Sequence, residues 1–208
     1  MPADGAKSAL RFGISLVPSI ERLDRIRELA RAADESSLDL VGIQDHPYQR
    51  HFLDAWSLIA TLLAETKRVS FFTDVANLPL RPPAVMAKAA ASLDVVSGGR
   101  FELGLGAGGL PDLIAGFGGP RRSPGESVEA LEEAIDVIRL LWSEERSVSF
   151  DGKHYRLDDG APGPATRASD WHMGRSVQAS DDAPGGPQGG WVAAVAGRVD
   201  TRRAARGQ

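Results

Sequence analysis

The stretch LPLRPPAVMAKAAASLDVVSGGRFELGLGAG, residues 78–108, places a helix directly before a buried strand. The paired prolines suit the first turn of a helix, and Gly98 provides a stop at its other end. The run FELGLG that follows has the near-continuous apolar character of a strand covered on both faces. This one unit therefore predicts a parallel sheet with helices packed against it.

The same alternation extends outward over residues 11–160. Strand-like runs are RFGISLV, LDLVGIQDH, RVSFFTDVANL and RFELGLGAGG, and amphipathic runs follow each of them. We expect Ser19 to cap the first helix, and Ser123 with Glu126 to form a capping box on the fourth. A hairpin is predicted around Asp151-Gly152. Four β-α units and a hairpin fit two architectures, an open doubly wound sheet or a (β/α)8 barrel.

Composition narrows the class of protein. The chain has 208 residues, a formal charge of −4 and no cysteine. An acidic balance argues against nucleic acid as a partner, because phosphate binding needs a basic face. The sequence contains no apolar run long enough to cross a membrane. We therefore expect a cytoplasmic protein whose partner is a small molecule.

Polar residues follow the second and third strands, where parallel sheets place active sites. Asp45 and His46 end the second strand. They either carry acid-base chemistry or merely orient a loop and cap a helix. Asp74 ends the third strand, as a turn residue or as a group facing a ligand. We expect no metal at His46 and His51, which lack a third ligand nearby, and we expect His154 at the surface of the hairpin.

Glycines follow the fourth strand in the pattern G-x-G-x-x-G, at Gly104, Gly106 and Gly109. A dinucleotide-binding turn would open a helix at once, whereas the next capped helix begins only near Pro124. The Rossmann alternative is therefore disfavoured. The glycines either relieve crowding at a strand end or let a flat ring approach the backbone.

Four segments together resemble the luciferase-like monooxygenase superfamily over about residues 11–160: VGIQDHPYQ, residues 73–108, PRRSPGESVEALEEAIDVIRLLW and FDGKHYRLD. The resemblance implies a TIM barrel that binds FMN or the deazaflavin F420 at the strand C-termini. It implies a flavin-dependent oxidoreductase or monooxygenase acting on a small organic substrate, with NAD(P)H as a reductant. The alternatives are deazaflavin-dependent hydride transfer, or an inactive truncated fragment of such an enzyme. Homo-oligomers are common in this superfamily.

By position, the resemblance also implies site residues. His46 matches the histidine that faces the isoalloxazine ring and the substrate, and Asp45 beside it joins the cofactor site. Asp74 and Val75 match a bulge that backs the ring. The turn after the fourth strand matches at Gly106, Ala107 and Gly108. Several deazaflavin enzymes carry a proton-donating Glu just after this turn, where this chain has Gly109, and Asp112 is the nearest acid.

Residues 161–208 break the pattern. They are rich in Gly, Pro, Ala, Arg and Asp, and only WVAAVAG (191–197) looks able to form an element. The superfamily has instead a fifth strand resembling HPIGIWVGAYKPRM and a later GRLADGW. The codons of DWHMG (170–174), shifted by one base, force Gly and Trp and allow Ile before each, which gives IGIW. We therefore predict a frameshift near residues 160–166, the alternative being a genuinely divergent tail.

The expected organisation is thus the N-terminal half of a barrel at residues 1–160 and an irregular, disordered tail at residues 161–208. Four strands cannot close an eight-stranded barrel. An open edge and an exposed apolar inner face would follow. TIM-barrel phosphate sites often use the loops after strands seven and eight. The sequence therefore predicts poor solubility and little or no affinity for FMN or deazaflavin.

Overall fold

The computed structural model describes residues 11–164, and the backbone of residues 171–179 and 190–198. Five strands and five helices alternate up to residue 141, followed by two antiparallel strand pairs. The strands are β1 (Gly13–Leu16), β2 (Leu40–Ile43), β3 (Ser70–Thr73), β4 (Ala76–Asn77), β5 (Phe101–Gly106), β6 (Val148–Asp151), β7 (Arg156–Gly160), β8 (Trp171–Ala179) and β9 (Gly190–Arg198). The helices are α1 (Leu23–Glu35), α2 (Ala55–Glu65), α3 (Pro83–Ser97), α4 (Pro111–Gly116) and α5 (Pro124–Leu141).

The central sheet runs in chain order. Strands β1, β2, β3 and β5 are parallel neighbours, and the short β4 also pairs with β5. A doubly wound sheet would instead reverse its strand order part-way across. The sequential order is that of a (β/α)8 barrel, here through its first four β-α units, and this confirms the predicted fold class.

The two faces of this sheet differ in chemistry. Outward-facing Val41, Phe71 and Phe101 are almost fully buried in one apolar core with the helices. The adjacent inward row runs Ser15, Gly42, Phe72 and Glu102 in register across the four strands. This row is less apolar than predicted, because Phe72 is its one large apolar side chain beside Ser15, Gly42 and Glu102.

An ion pair lies on that inner face. Glu102 is only 7% exposed and pairs with Arg11 at the start of β1. Burial raises the pKa of Glu102, although the charge and hydrogen bond of Arg11 oppose the rise. An isolated carboxylate would be costly here, so the arginine is what makes this buried acid tolerable.

Local end signals of the helices are mostly as expected. Gly98 ends α3 with a φ of 74°, and Ser123 and Glu126 form the capping box on α5. Ser19, by contrast, makes no capping hydrogen bond, because a short 3₁₀ turn at Ile20–Arg22 precedes α1. The short helix α4 was not predicted. No helix in the described part of the chain is long and apolar enough to cross a membrane.

The tail contains more structure than predicted. Strand β9 covers the predicted element WVAAVAG, which is confirmed, but β8 lies where the sequence predicted irregular chain. Apart from Arg175, the residues at odd positions of 171–179 are apolar, a period of two that is typical of strands. Strand β9 pairs antiparallel with β5, from Leu103↔Ala196 to Gly106↔Ala193. The predicted open edge at β5 is therefore covered. The prediction of disorder for residues 165–170, 180–189 and 199–208 lies outside the described residues.

Candidate functional site

The candidate site lies where β2, β3 and β5 end. Asp45 and His46 follow β2, Asp74 and Val75 follow β3, and Gly106 is the last residue of β5. Parallel strands bring their carboxyl ends to one edge, so sequence positions up to 60 residues apart meet there. Hydrogen bonds and close contacts between these segments fix the geometry of the site.

Asp45 is the hub of the site. Its Oδ2 accepts hydrogen bonds from Trp56 Nε1 at 3.3 Å and from the Asn77 backbone N–H at 3.1 Å, and Arg81 Nε lies 3.8 Å away. It is 2% exposed. Burial raises the pKa of Asp45, while the Asn77 hydrogen bond and the Arg81 charge hold it down. Asp45 thus links the loop after β2 to β4 and to the loop before α3. Because its carboxylate is buried, Asp45 contributes to the site by holding these segments together.

His46 sits beside this hub and is half-buried. Its Nδ1 lies 2.7 Å from the Tyr48 hydroxyl, and the Phe52 ring packs at a centroid distance of 6.5 Å. Burial lowers the pKa of His46, although the charges of Asp45 and Asp74 oppose the change. Near neutral pH the imidazole is therefore uncharged, able to donate a proton at one nitrogen and accept one at the other.

The Asp74–Val75 segment lies across the strand ends. Its peptide bond is cis, and the Asp74 N–H donates to the Ile43 carbonyl at 2.8 Å. The Asp74 carboxylate accepts a hydrogen bond from the Ser15 hydroxyl at 2.6 Å. The first three strands are thus linked through one residue, Asp74, whose carboxylate binds Ser15 and whose backbone N–H binds Ile43, and Ser15 joins the set without having been predicted.

The glycines of β5 permit close approach of this segment. A Cβ on Gly106 would lie 2.5 Å from Val75 Cγ2, and one on Gly104 would lie 2.2 Å from the Thr73 carbonyl oxygen. Gly104 accepts no side chain without moving the neighbouring strand, and Gly106 accepts none without displacing the Val75 side chain. Gly106 therefore determines where the Val75 side chain rests.

The remaining turn residues play different parts. Ala107 is buried, while Gly108 adopts a φ of 90°, where a Cβ would meet Pro79 and Ile114. Gly108 is thus required by its backbone conformation and by packing against the loop before α3.

Other candidates lie apart from the cluster. Asp112 is exposed and pairs with Arg121, so it does not face the strand ends. His51 is exposed, with Nδ1 3.8 Å from Glu21. His154, predicted at the surface, has a side chain only 10% exposed because it packs beside Glu129 of α5. Among residues 11–164, no group of three His, Asp or Glu side chains is placed to hold a metal ion.

Comparison with known proteins agrees with the fold. A family model described as luciferase-like monooxygenase matches residues 6–206. The chain belongs to the luciferase-like monooxygenase family. The matched range includes most of the tail, so the origin of residues 161–208 stays a prediction.

Two curated members of the luciferase-like family illustrate its range. An F420-dependent glucose-6-phosphate dehydrogenase of Kineococcus radiotolerans is 37% identical over 142 residues, which cover 65% of this chain and 41% of that protein. The pyrimidine monooxygenase RutA of Stutzerimonas stutzeri is 32% identical over 131 residues, which cover 58% of this chain and 34% of RutA. The chain therefore spans less than half the length of these relatives.

The chain likewise matches about half the length of a solved structure. An F420-dependent secondary alcohol dehydrogenase, in complex with an F420–acetone adduct, superposes with a TM-score of 0.65 at 26% identity. The superposition covers 73% of this chain and 49% of that one. It confirms that the chain contains part of a luciferase-like TIM barrel.

The residues at the strand ends fit a flat, redox-active ring. Gly106 leaves room for Val75 to lie against β5, and the half-exposed edge carries a neutral imidazole at His46. Two buried acceptor oxygens, Asp45 Oδ1 and Asn77 Oδ1, have no hydrogen-bond donor within the described residues. A ring bearing N–H groups, approached over glycine and valine, is chemically suited to such a surface.

Proposed function

We propose that this chain carries the ring-facing half of the active site of a flavin-dependent oxidoreductase or monooxygenase of the luciferase-like class. The observation that carries the proposal is the convergence of His46, the Asp74–Val75 peptide and Gly106 at one edge of the sheet. A small organic substrate, a cytoplasmic location, NAD(P)H as reductant and homo-oligomeric assembly belong to the same proposal as expectations carried over from the sequence.

Each residue has a role in this proposal. Bound FMN would supply the electron chemistry, as cofactors of this kind do. Val75 supports one face of the ring, held in place by Gly106. His46 presents a neutral imidazole to the substrate side, where it donates or accepts one proton. Asp45 orients both segments, and Ala107 and Gly108 complete the turn beside the ring.

Deazaflavin-dependent hydride transfer is the second candidate cofactor chemistry. Relatives named for F420 and relatives named as monooxygenases are both present, so the comparisons favour neither. The site itself favours flavin. Gly109 has no carboxyl group where several deazaflavin enzymes have a Glu, and Asp112 is 79% exposed and paired with Arg121. No acid from the turn after β5 therefore reaches the site.

An inactive fragment is the third candidate, and one observation favours it. Strand β9 runs antiparallel along β5, on the edge where a (β/α)8 barrel places a further parallel strand. With β9 paired to β5, the second half of a barrel has no free edge of β5 with which to pair. Binding of the ring and completion of catalysis are therefore separate questions, and the experiment below measures binding.

The test changes the glycine that sets the position of Val75. In Gly106→Val, the added side chain displaces Val75, so we expect flavin affinity to fall at least tenfold. Dilute FMN or F420 is titrated with the chain, and cofactor fluorescence gives the dissociation constant. The matched control is Gly116→Ala in α4, where a Cβ meets nothing within 4 Å.

The outcomes separate the candidates. Binding of FMN that weakens in Gly106→Val and not in Gly116→Ala supports the proposal. Tighter binding of F420 than of FMN would move the assignment to deazaflavin chemistry. Equal affinity in both variants would show that the ring binds elsewhere and would overturn the site.

A further inference from the structure

The hydroxyl group of Tyr48 was not predicted from the sequence, and it contacts the proposed catalytic imidazole directly. Tyr48 Oη lies 2.7 Å from His46 Nδ1, and the two rings are 5.6 Å apart at 46°. Only Pro47 separates the two residues in the chain. Because proline fixes its own φ, the loop presents both side chains with little freedom between them.

We propose that Tyr48 is the positioning residue that sets which nitrogen of His46 carries the proton. A phenol donates a hydrogen bond readily, and an imidazole nitrogen without a proton accepts it well. With the Tyr48 O–H directed at Nδ1, that nitrogen must be unprotonated. The imidazole proton then resides on Nε2, so His46 is held in the Nε2–H tautomer. The tautomer itself does not depend on the proposed function. Only the role of Nε2–H toward a substrate rests on it.

Charge at the site supports this arrangement. Within the described part of the chain, the charged groups that act on the pair include Asp45 and Asp74 for His46, and Asp45 for Tyr48. Burial raises the pKa of Tyr48 to about 12, with the Asp45 charge adding to the rise. Burial also lowers the pKa of His46. The hydrogen bond therefore joins two neutral groups near pH 7.5, and in the proposed arrangement the phenol is its donor.

Aromatic packing restricts the orientation of the His46 imidazole, in addition to the hydrogen bond that determines where its proton lies. Phe52 lies against the imidazole at 6.5 Å and 51°, on the loop that leads into α2. A donor on Nδ1 and an aromatic neighbour together restrict rotation of the His46 side chain. In the proposed site, Nε2–H is then a fixed donor toward a negative oxygen or nitrogen that develops on the substrate.

The test reads the tautomer directly and needs no cofactor. Long-range ¹H–¹⁵N correlation spectra of the labelled chain at pH 7.5 distinguish Nε2–H from Nδ1–H imidazoles. His46→Gln identifies the signal among the four histidines. We expect one dominant Nε2–H form in the unchanged chain. In Tyr48→Phe the tautomer ratio should fall about fivefold, since a hydrogen bond of this kind contributes about 1 kcal/mol.

A matched control removes a similar hydroxyl elsewhere. Tyr155→Phe loses a partly buried phenol that contacts Arg122, on the hairpin, and should leave the His46 signal unchanged. A Nδ1–H form in the unchanged chain, or the same ratio in Tyr48→Phe, would overturn the inference. If Tyr48→Phe does not fold, the tautomer of the unchanged chain still decides. Failure of flavin binding would refute the proposed function and leave this result standing.

Discussion

Single residues carry the site through contacts that span the sequence. Asp45 joins Trp56, Asn77 and Arg81, and Asp74 joins Ser15 and Ile43. Each carboxylate therefore fixes two strand ends relative to each other. A hydrogen bond to a charged group contributes about 1.5–3 kcal/mol, so the two buried hydrogen bonds to Asp45 are worth more to the fold than an exposed ion pair.

Replacing Asp45 by Ala should destabilise the chain by about 2–4 kcal/mol, because Trp56 Nε1 and the Asn77 N–H lose their buried acceptor. The control is Asp112→Ala, another aspartate paired with an arginine but 79% exposed, whose loss should cost less than about 1 kcal/mol. Urea unfolding of both variants makes the comparison. Similar losses in the two would contradict the role given to Asp45.

The sequence was informative about these residues only in part. Asp45, His46, Asp74 and Gly106 were predicted because each follows a recognisable strand. Their partners were not, because Asn77, Arg81 and Ser15 lie about 30 to 60 residues away and come close only through the parallel register. Tyr48 was missed although it is local, since nothing in a single sequence shows that its hydroxyl group faces Nδ1.

At the scale of elements, the clearest long-range feature is the attachment of the hairpin β6–β7 to α5. The Glu133 carboxylate accepts hydrogen bonds from three consecutive backbone N–H groups, those of Lys153, His154 and Tyr155, at 2.8–3.0 Å. Glu129, one turn earlier, contacts Lys153 and His154. The capping box at Ser123 was predictable from adjacent letters, whereas this attachment depends on residues 20 apart.

This attachment should depend on pH. Burial opposes ionisation of Glu133, but the three backbone hydrogen bonds outweigh it and hold its pKa below the ordinary 4.5. A lowered carboxyl pKa gives a stabilisation that is present above about pH 4.5 and is lost as the pH falls through the folded value. We therefore expect the amides of residues 153–155 to lose protection below that range, measured relative to the intrinsic exchange rate at each pH.

Glu133→Gln should remove this pH dependence, because an amide oxygen accepts hydrogen bonds without titrating. Glu144→Gln, an exposed position beyond α5, serves as the control and should keep the behaviour of the unchanged chain. Amide exchange followed by NMR between pH 3 and 6 measures the effect. Persistence of the acid-dependent exchange in Glu133→Gln would assign it to another group.

At the scale of the whole molecule, the first four β-α units follow the luciferase-like barrel, and strand β9 of the tail runs antiparallel along β5. Hydrophobic alternation sufficed to predict the parallel sheet and its helices. It did not predict the less apolar inner row from Ser15 to Glu102, because a strand sequence does not show which face meets the helices. Nor did it predict that β9 would occupy the edge of β5.

The frameshift interpretation of the tail is testable in the gene. Reading codons 166–208 one base later should give isoleucine before both Gly and Trp in the IGIW segment, and should stay open to codon 208. Nucleotide sequencing provides the result. Threonine at both of those positions together with an early stop codon would show that residues 161–208 are a divergent tail.

The central claim is that this chain holds the ring-facing half of a flavin site without the phosphate loops that follow strands seven and eight of a complete barrel. Riboflavin has the ring of FMN but no phosphate. Titrating each with the chain, followed by fluorescence, therefore separates the contribution of the ring to binding from that of the phosphate. We predict dissociation constants of about 0.1–1 mM that agree within about twofold. FMN binding at least ten times tighter than riboflavin, or no binding of either, would contradict the account.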